Sequence, residues 1–248
     1  MKKINEKSKL KIAVVFNLAI VVFEIVALVL SLKRRGWQVL LFFTQISNYF
    51  SLVSSIIFVT KAAASLKTNN SKPKTWVHVL RFVSTCLLMV TFLMVIFVLI
   101  PFMPQNAIFW LFGNSNLFQH TICPILSVVS FLTFENTESL SKKSLFFAIL
   151  PTVLYGAVML TLNLLKLVTG PYPFFYVYEF AWFVSVPWLG GILLFVLAIN
   201  VFVYLMHKKL GKNKQKTLFQ WINVSFSFYF EFFVLQWFCK KKKRFSWK

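Results

Sequence analysis

Aspartate is absent from this 248-residue chain, and its six acids are all glutamates: Glu6, Glu24, Glu135, Glu138, Glu179 and Glu231. A Ser-His-Asp relay therefore cannot be assembled, and a carboxylate-rich cage for a divalent metal lacks ligands. Cysteine is scarce as well. Cys86, Cys123 and Cys239 form no CxxC pair and lie in apolar stretches. They read as small buried hydrophobes rather than a disulfide framework or a zinc site. No metal or organic cofactor is expected. Charged residues make up 13% of the chain, about half of the ~25% usual for a soluble domain.

Apolar residues dominate instead: 58% of the chain is hydrophobic, 19% is aromatic, and the mean hydropathy is +0.74. These values predict an all-α, polytopic membrane bundle built as one domain. The net charge of +21 does not indicate nucleic acid. Its basic residues form short clusters between apolar segments, where anionic headgroups attract them, and no nucleic-acid module is recognisable.

Six spanning helices are expected, at about residues 12–32, 39–60, 76–100, 117–134, 145–168 and 182–206. The first is too long for a signal peptide and lacks a small-residue cleavage site. Its Glu24 should face the bundle interior. His78 and Arg81 lie near the start of the third segment, where long basic side chains can snorkel to the interface; His78, on the inner side, and His207, at an inner helix end, read as structural. Pro101 and Pro104 break that segment, and Gly113-Asn114-Ser115-Asn116 marks a loop.

Residues 1–206 then form the six-helix domain, and 207–248 form a basic tail with a seventh apolar stretch, Leu218–Cys239. Most basic residues fall on the side of the N-terminus, which places both ends of the six-helix domain in the cytoplasm and the protein in the cell membrane. Spanning by Leu218–Cys239 would put Lys240–Lys243 and Arg244 on the poorly charged side. That stretch is read as an interfacial or re-entrant helix, or else a seventh span.

The polar residues in these segments carry the functional reading, because such groups are costly in lipid unless they face protein or water. Thr44, Ser47 and Asn48 share one helical face at i, i+3 and i+4. Thr44 is expected about five residues into the second helix, roughly 8 Å deep at ~1.5 Å per residue. His120 lies at a similar depth in the fourth helix. A neutral histidine can take the proton from a threonine hydroxyl, making it a nucleophile. Asn116, at i−4, is positioned to orient the His120 ring, and Asn48, at i+4 from Thr44, to donate to an oxyanion. The structural alternative is that Ser and Thr bond within or between helices and that His120 bonds a neighbouring helix.

Phe43-Thr44, then Asn116-Leu117-Phe118-Gln119-His120-Thr121 with Pro124, then Tyr172-Pro173-Phe174, together resemble the androgen-induced-gene family. Those multipass threonine hydrolases act on fatty acid esters of hydroxy fatty acids, and bacterial six-pass proteins resemble them. The likeness covers about residues 10–206, with His-Thr-x-x-Pro as its most specific part. It implies a Thr nucleophile at Thr44, a His base at His120 and a lipid-ester substrate. It does not extend to Ser47-Asn48 or to the tail. A non-catalytic transporter or lipid-binding protein using the same polar cluster, or a purely structural membrane protein, remains open on the sequence. A retinal protein is disfavoured, because Leu218–Cys239 offers no lysine for a Schiff base.

Overall fold

The long apolar runs fold as helices that satisfy their own backbone groups, as lipid requires. The computed structural model describes residues 5–68, 73–135, 139–179 and 182–212. It is 87% helical and has no strand among the described residues. The segments are α1 (Glu6–Arg35), α2 (Phe43–Lys67), α3 (Thr75–Phe102), α4 (Pro104–Phe112), α5 (Leu117–Thr133), α6 (Lys143–Leu164) and α7 (Trp182–Lys212). Five of them are long and apolar enough to cross a membrane. The sixth crossing expected from the sequence takes a different form. α5 reaches that length and hydropathy only together with α4, and the two meet at a bend of 86°. Leu218–Cys239 and the rest of the tail lie outside the described residues.

Two prolines explain the irregular turns. A proline cannot donate to the carbonyl four residues back and its ring crowds that carbonyl, so the helix must widen upstream. π-helical turns occupy Val95–Leu99, before Pro101, and Leu117–Ile122, before Pro124. The amides of Ile100 and Cys123 bond five residues back, to Val95 and Phe118. His120 thus sits in a π-turn, not in the regular helix expected for it.

Buried positions of α1 fall at Leu10, Ala13, Asn17, Ile20, Glu24, Ala27 and Ser31. Their alternating three- and four-residue spacing forms one seam, packed mainly on α2 and α5. The seam is partly polar, with Asn17, Glu24 and Ser31 about 10 Å apart along the axis. α3 is central and touches α2, α5, α6 and α7.

Near the end where α1 begins (the near face), Arg81 overturns the snorkelling expectation. It is fully buried, with Nε 3.0 Å from Glu135 Oε2 and Nη2 3.2 Å from Glu135 Oε1. Ser55, Ser84 and Ser127 accept its remaining donors. His78 is buried too, its Nε2 2.9 Å from His207 Nε2, with Phe131 stacked against both rings. A carboxylate made available by the α5 C-terminus lets the arginine stay inside, an option that a single-segment reading does not contain.

Candidate functional site

At the opposite end, which we call the far face, α2 begins later than the sequence suggests. Residues Gly36–Leu41 form a 3-10 turn, entered through Gly36 at φ 57°, and Phe42 is the cap of α2. Thr44 therefore lies in the first helical turn rather than five residues in. Tyr155 Oη donates to the Leu41 carbonyl at 2.7 Å and pins this start. The first-turn amides of a helix have no partner within it. Those of Phe43 and Thr44 face the Tyr172 hydroxyl oxygen.

Tyr172 is also the side chain that meets Thr44, with the two hydroxyls 3.5 Å apart. Its turn is fixed by Asn163, whose Nδ2 donates to the Met159 carbonyl and whose Oδ1 accepts from the Gly170 amide. Gly170 is required by close approach: a Cβ there would lie 2.4 Å from Phe175 Cβ. Burial raises the Tyr172 phenol above its ordinary range, partly offset by the Thr44 hydroxyl and the two amides.

Thr44 and Tyr172 line a cavity of about 260 Å³ between α2, α3, α6 and α7. Its remaining wall is mostly apolar, including Val90, Met94, Leu160 and Ile192. The Thr44 carbonyl is held by Ser47 Oγ at 2.9 Å and Asn48 Nδ2 at 2.6 Å. Ser47 continues to Thr91 on α3 at 2.8 Å. Asn48 thus spends its donors on backbone, including a longer contact of 3.5 Å to the Gln119 carbonyl, instead of pointing at the Thr44 hydroxyl.

His120 lies on the neighbouring element but does not line this cavity, and no hydrogen bond joins it to Thr44 among the described residues. Its Nδ1 is 2.6 Å from the Trp110 carbonyl, so Nδ1 carries the proton and Nε2 keeps its lone pair. Thr121 Oγ1 donates to the Leu111 carbonyl and Asn116 Nδ2 to the Phe109 carbonyl. Three side chains of the Asn116–Thr121 run therefore cap three successive carbonyls at the end of α4, the first of which, Phe109, also accepts from the Gly113 amide. Asn116 does not orient the His120 ring. Its Oδ1 instead accepts from Arg34 at 3.4 Å.

A reciprocal amide pair closes the space between α2 and α5: Gln45 donates to Gln119 at 2.7 Å, and Gln119 to Gln45 at 2.9 Å. Both amides also donate to Ser31 Oγ. The sequence reading missed Gln45, Gln119 and Tyr172 as site residues. Tyr172 stood in a quoted motif, and the paired glutamines flank Thr44 and His120, but neither signal defines a pairing on its own. No group of three or more metal-ligating side chains occurs among the described residues.

These elements define an all-α helical bundle with the spans of a multipass membrane protein. Comparison with protein-family models, curated proteins and solved structures finds no match to the chain.

Proposed function

We propose that this protein is a membrane hydrolase that cleaves a lipid ester at Thr44. The observation carrying the reading is the threonine hydroxyl set in the wall of an apolar cavity, beside a helix start whose first amides are turned to the Tyr172 hydroxyl. An acyl chain suits the cavity, and the Phe43 and Thr44 amides suit an oxyanion once the substrate carbonyl displaces the Tyr172 hydroxyl. The resemblance to the androgen-induced-gene hydrolases belongs to this proposal.

In the proposed reaction, Thr44 Oγ1 adds to the ester carbonyl while its proton passes to His120 Nε2 by way of water admitted between them. The tetrahedral species collapses to an acyl-threonine, and the leaving alkoxide takes the proton from His120. Water then adds to the acyl-threonine, with its proton passing to His120. Collapse releases the fatty acid and returns that proton to Thr44. Placement in the cell membrane with the N-terminus inside is part of the same proposal. The near face carries many more lysines than the far face, whose described cations are Lys33, Arg34, Arg35 and Lys166.

The test is turnover of a fluorogenic acyl ester by purified protein, together with labelling by a fluorophosphonate probe. Thr44→Ala should abolish both, and His120→Ala should lower both by roughly 10²–10⁴-fold. A folded Thr44→Ala protein with full turnover would refute the assignment. A second reading, a carrier, draws on one observation: Ser31, Glu24 and Asn17 form a buried polar line along α1, and Glu24 Oε1 and Asn17 Oδ1 have no hydrogen-bond partner among the described residues. A carrier predicts saturable flux in vesicles that Glu24→Gln abolishes, without ester turnover.

A further inference from the structure

The cavity wall bearing Thr44 is linked through two rings to an arginine that has no acidic partner among the described residues. Arg35 Cζ lies 4.5 Å from the centroid of Phe42, and Phe42 meets Tyr172 edge-on at 6.1 Å. Tyr172 in turn reaches Thr44. Arg34, one residue earlier, lies on the α4–α5 side, with Nη2 3.3 Å from Ser115 Oγ and Cζ 5.6 Å from the Phe109 ring centroid. Both arginines are exposed. The ion pairs Lys9–Glu6 and Arg81–Glu135 involve neither of these arginines. Among the described connections at the far face, Glu179 is the acid present. Trp37, 80% exposed in the turn that follows Arg35, marks this level as the membrane–water interface.

We propose that Arg35, with Arg34, holds the phosphate of an anionic membrane lipid whose acyl chain enters the cavity beside Thr44. A guanidinium stays charged and matches phosphate oxygens with paired N–H donors. Resting on Phe42, the Arg35 side chain is already oriented at that level, so little of its freedom is lost on binding. The apolar wall below has few polar groups to offer a soluble anion but suits hydrocarbon. This inference rests on the hydrolase reading only in naming the substrate class, a phosphate-bearing acyl lipid. The binding step stands independently of turnover.

The experiment follows thermal unfolding of the full chain in zwitterionic detergent, titrated separately with phosphatidylglycerol, phosphatidylcholine, oleate and inorganic phosphate. Wild type should respond to phosphatidylglycerol at a concentration roughly tenfold or more below that needed for phosphatidylcholine, the effect expected of one charged hydrogen-bonding partner. The double variant Arg34→Gln/Arg35→Gln should lose the preference, Arg35→Lys should keep part of it, and Lys33→Gln should leave it unchanged. Gly156→Leu, which adds a side chain where the cavity wall is open, should weaken the response to both lipids. Equal responses to the two lipids, a preference surviving the double arginine variant, or the full effect from inorganic phosphate or oleate would each overturn the proposal. Thr44→Ala separates the two readings. Retained lipid preference without turnover supports both, whereas retained preference with full turnover refutes the hydrolase and leaves the lipid site standing.

Discussion

Replacing Glu135 by alanine tests the account of the near-face core most sharply. Its carboxylate accepts from Arg81 Nε and Nη2, from Asn17 Nδ2 at 2.8 Å and from Ser130 Oγ at 2.6 Å. Both partners of the ion pair have no side-chain exposure. Removing one member of such a pair leaves a charge buried without compensation, which costs about 3–5 kcal/mol. Asn17 still donates to the Ala13 carbonyl, so its own loss is smaller. A total loss of about 4 kcal/mol or more follows, a large share of a typical stability of ~5–15 kcal/mol.

The assay is unfolding of detergent-solubilised protein by a graded anionic denaturant, read from tryptophan fluorescence and compared with wild type. The double variant Arg81→Met/Glu135→Leu removes both charges and keeps comparable volume, so it should be more stable than Glu135→Ala by several kcal/mol. A Glu135→Ala loss under about 1 kcal/mol, the range of an exposed pair, would refute the reasoning. So would a double variant less stable than the single one.

Three further outcomes are expected. Gln45→Leu should cost about 1–3 kcal/mol because Gln119 loses a buried partner, whereas Gln45→Leu/Gln119→Leu should come close to wild type; a double-mutant cycle measures the coupling. Gly170→Ala forces Phe175 away and should lower stability by about 1–3 kcal/mol while reducing turnover through displacement of Tyr172, which the melting temperature and the ester assay report together. Because the Tyr172 phenol is raised when folded, the native state holds that proton more tightly than the unfolded chain does. Stability should therefore fall as pH rises above the ordinary tyrosine value of about 10, and Tyr172→Phe should flatten the fall in a pH series of melting temperatures.

The segments themselves were legible because hydropathy acts locally: each apolar run must form a helix in lipid whatever its neighbours do. Local chemistry also announced the break at Pro101 and Pro104 and the turn that begins at Gly113. Glu24 could be placed inside from its own cost in hydrocarbon, and it is 3% exposed. Where the reading went astray, the missing quantity was a partner. The position of Arg81 near a helix start suggests snorkelling to the interface, yet Glu135, 54 residues away, balances its charge inside the bundle.

The same division runs through the candidate site. Hydropathy and periodicity suffice for an all-α bundle of apolar helices, and they single out Thr44, Asn48, Asn116 and His120 as polar residues expected at one end of it. Only the tertiary structure decided their partners: Tyr172 for Thr44, the Trp110 carbonyl for His120, and Arg34 for Asn116. Helical periodicity fixes which residues share a face, but a hydrogen bond is set within a few tenths of an ångström by two elements at once. The late start of α2, tied down by Tyr155 from 114 residues away, and the bend between α4 and α5, held by caps seven to ten residues apart, supply those positions.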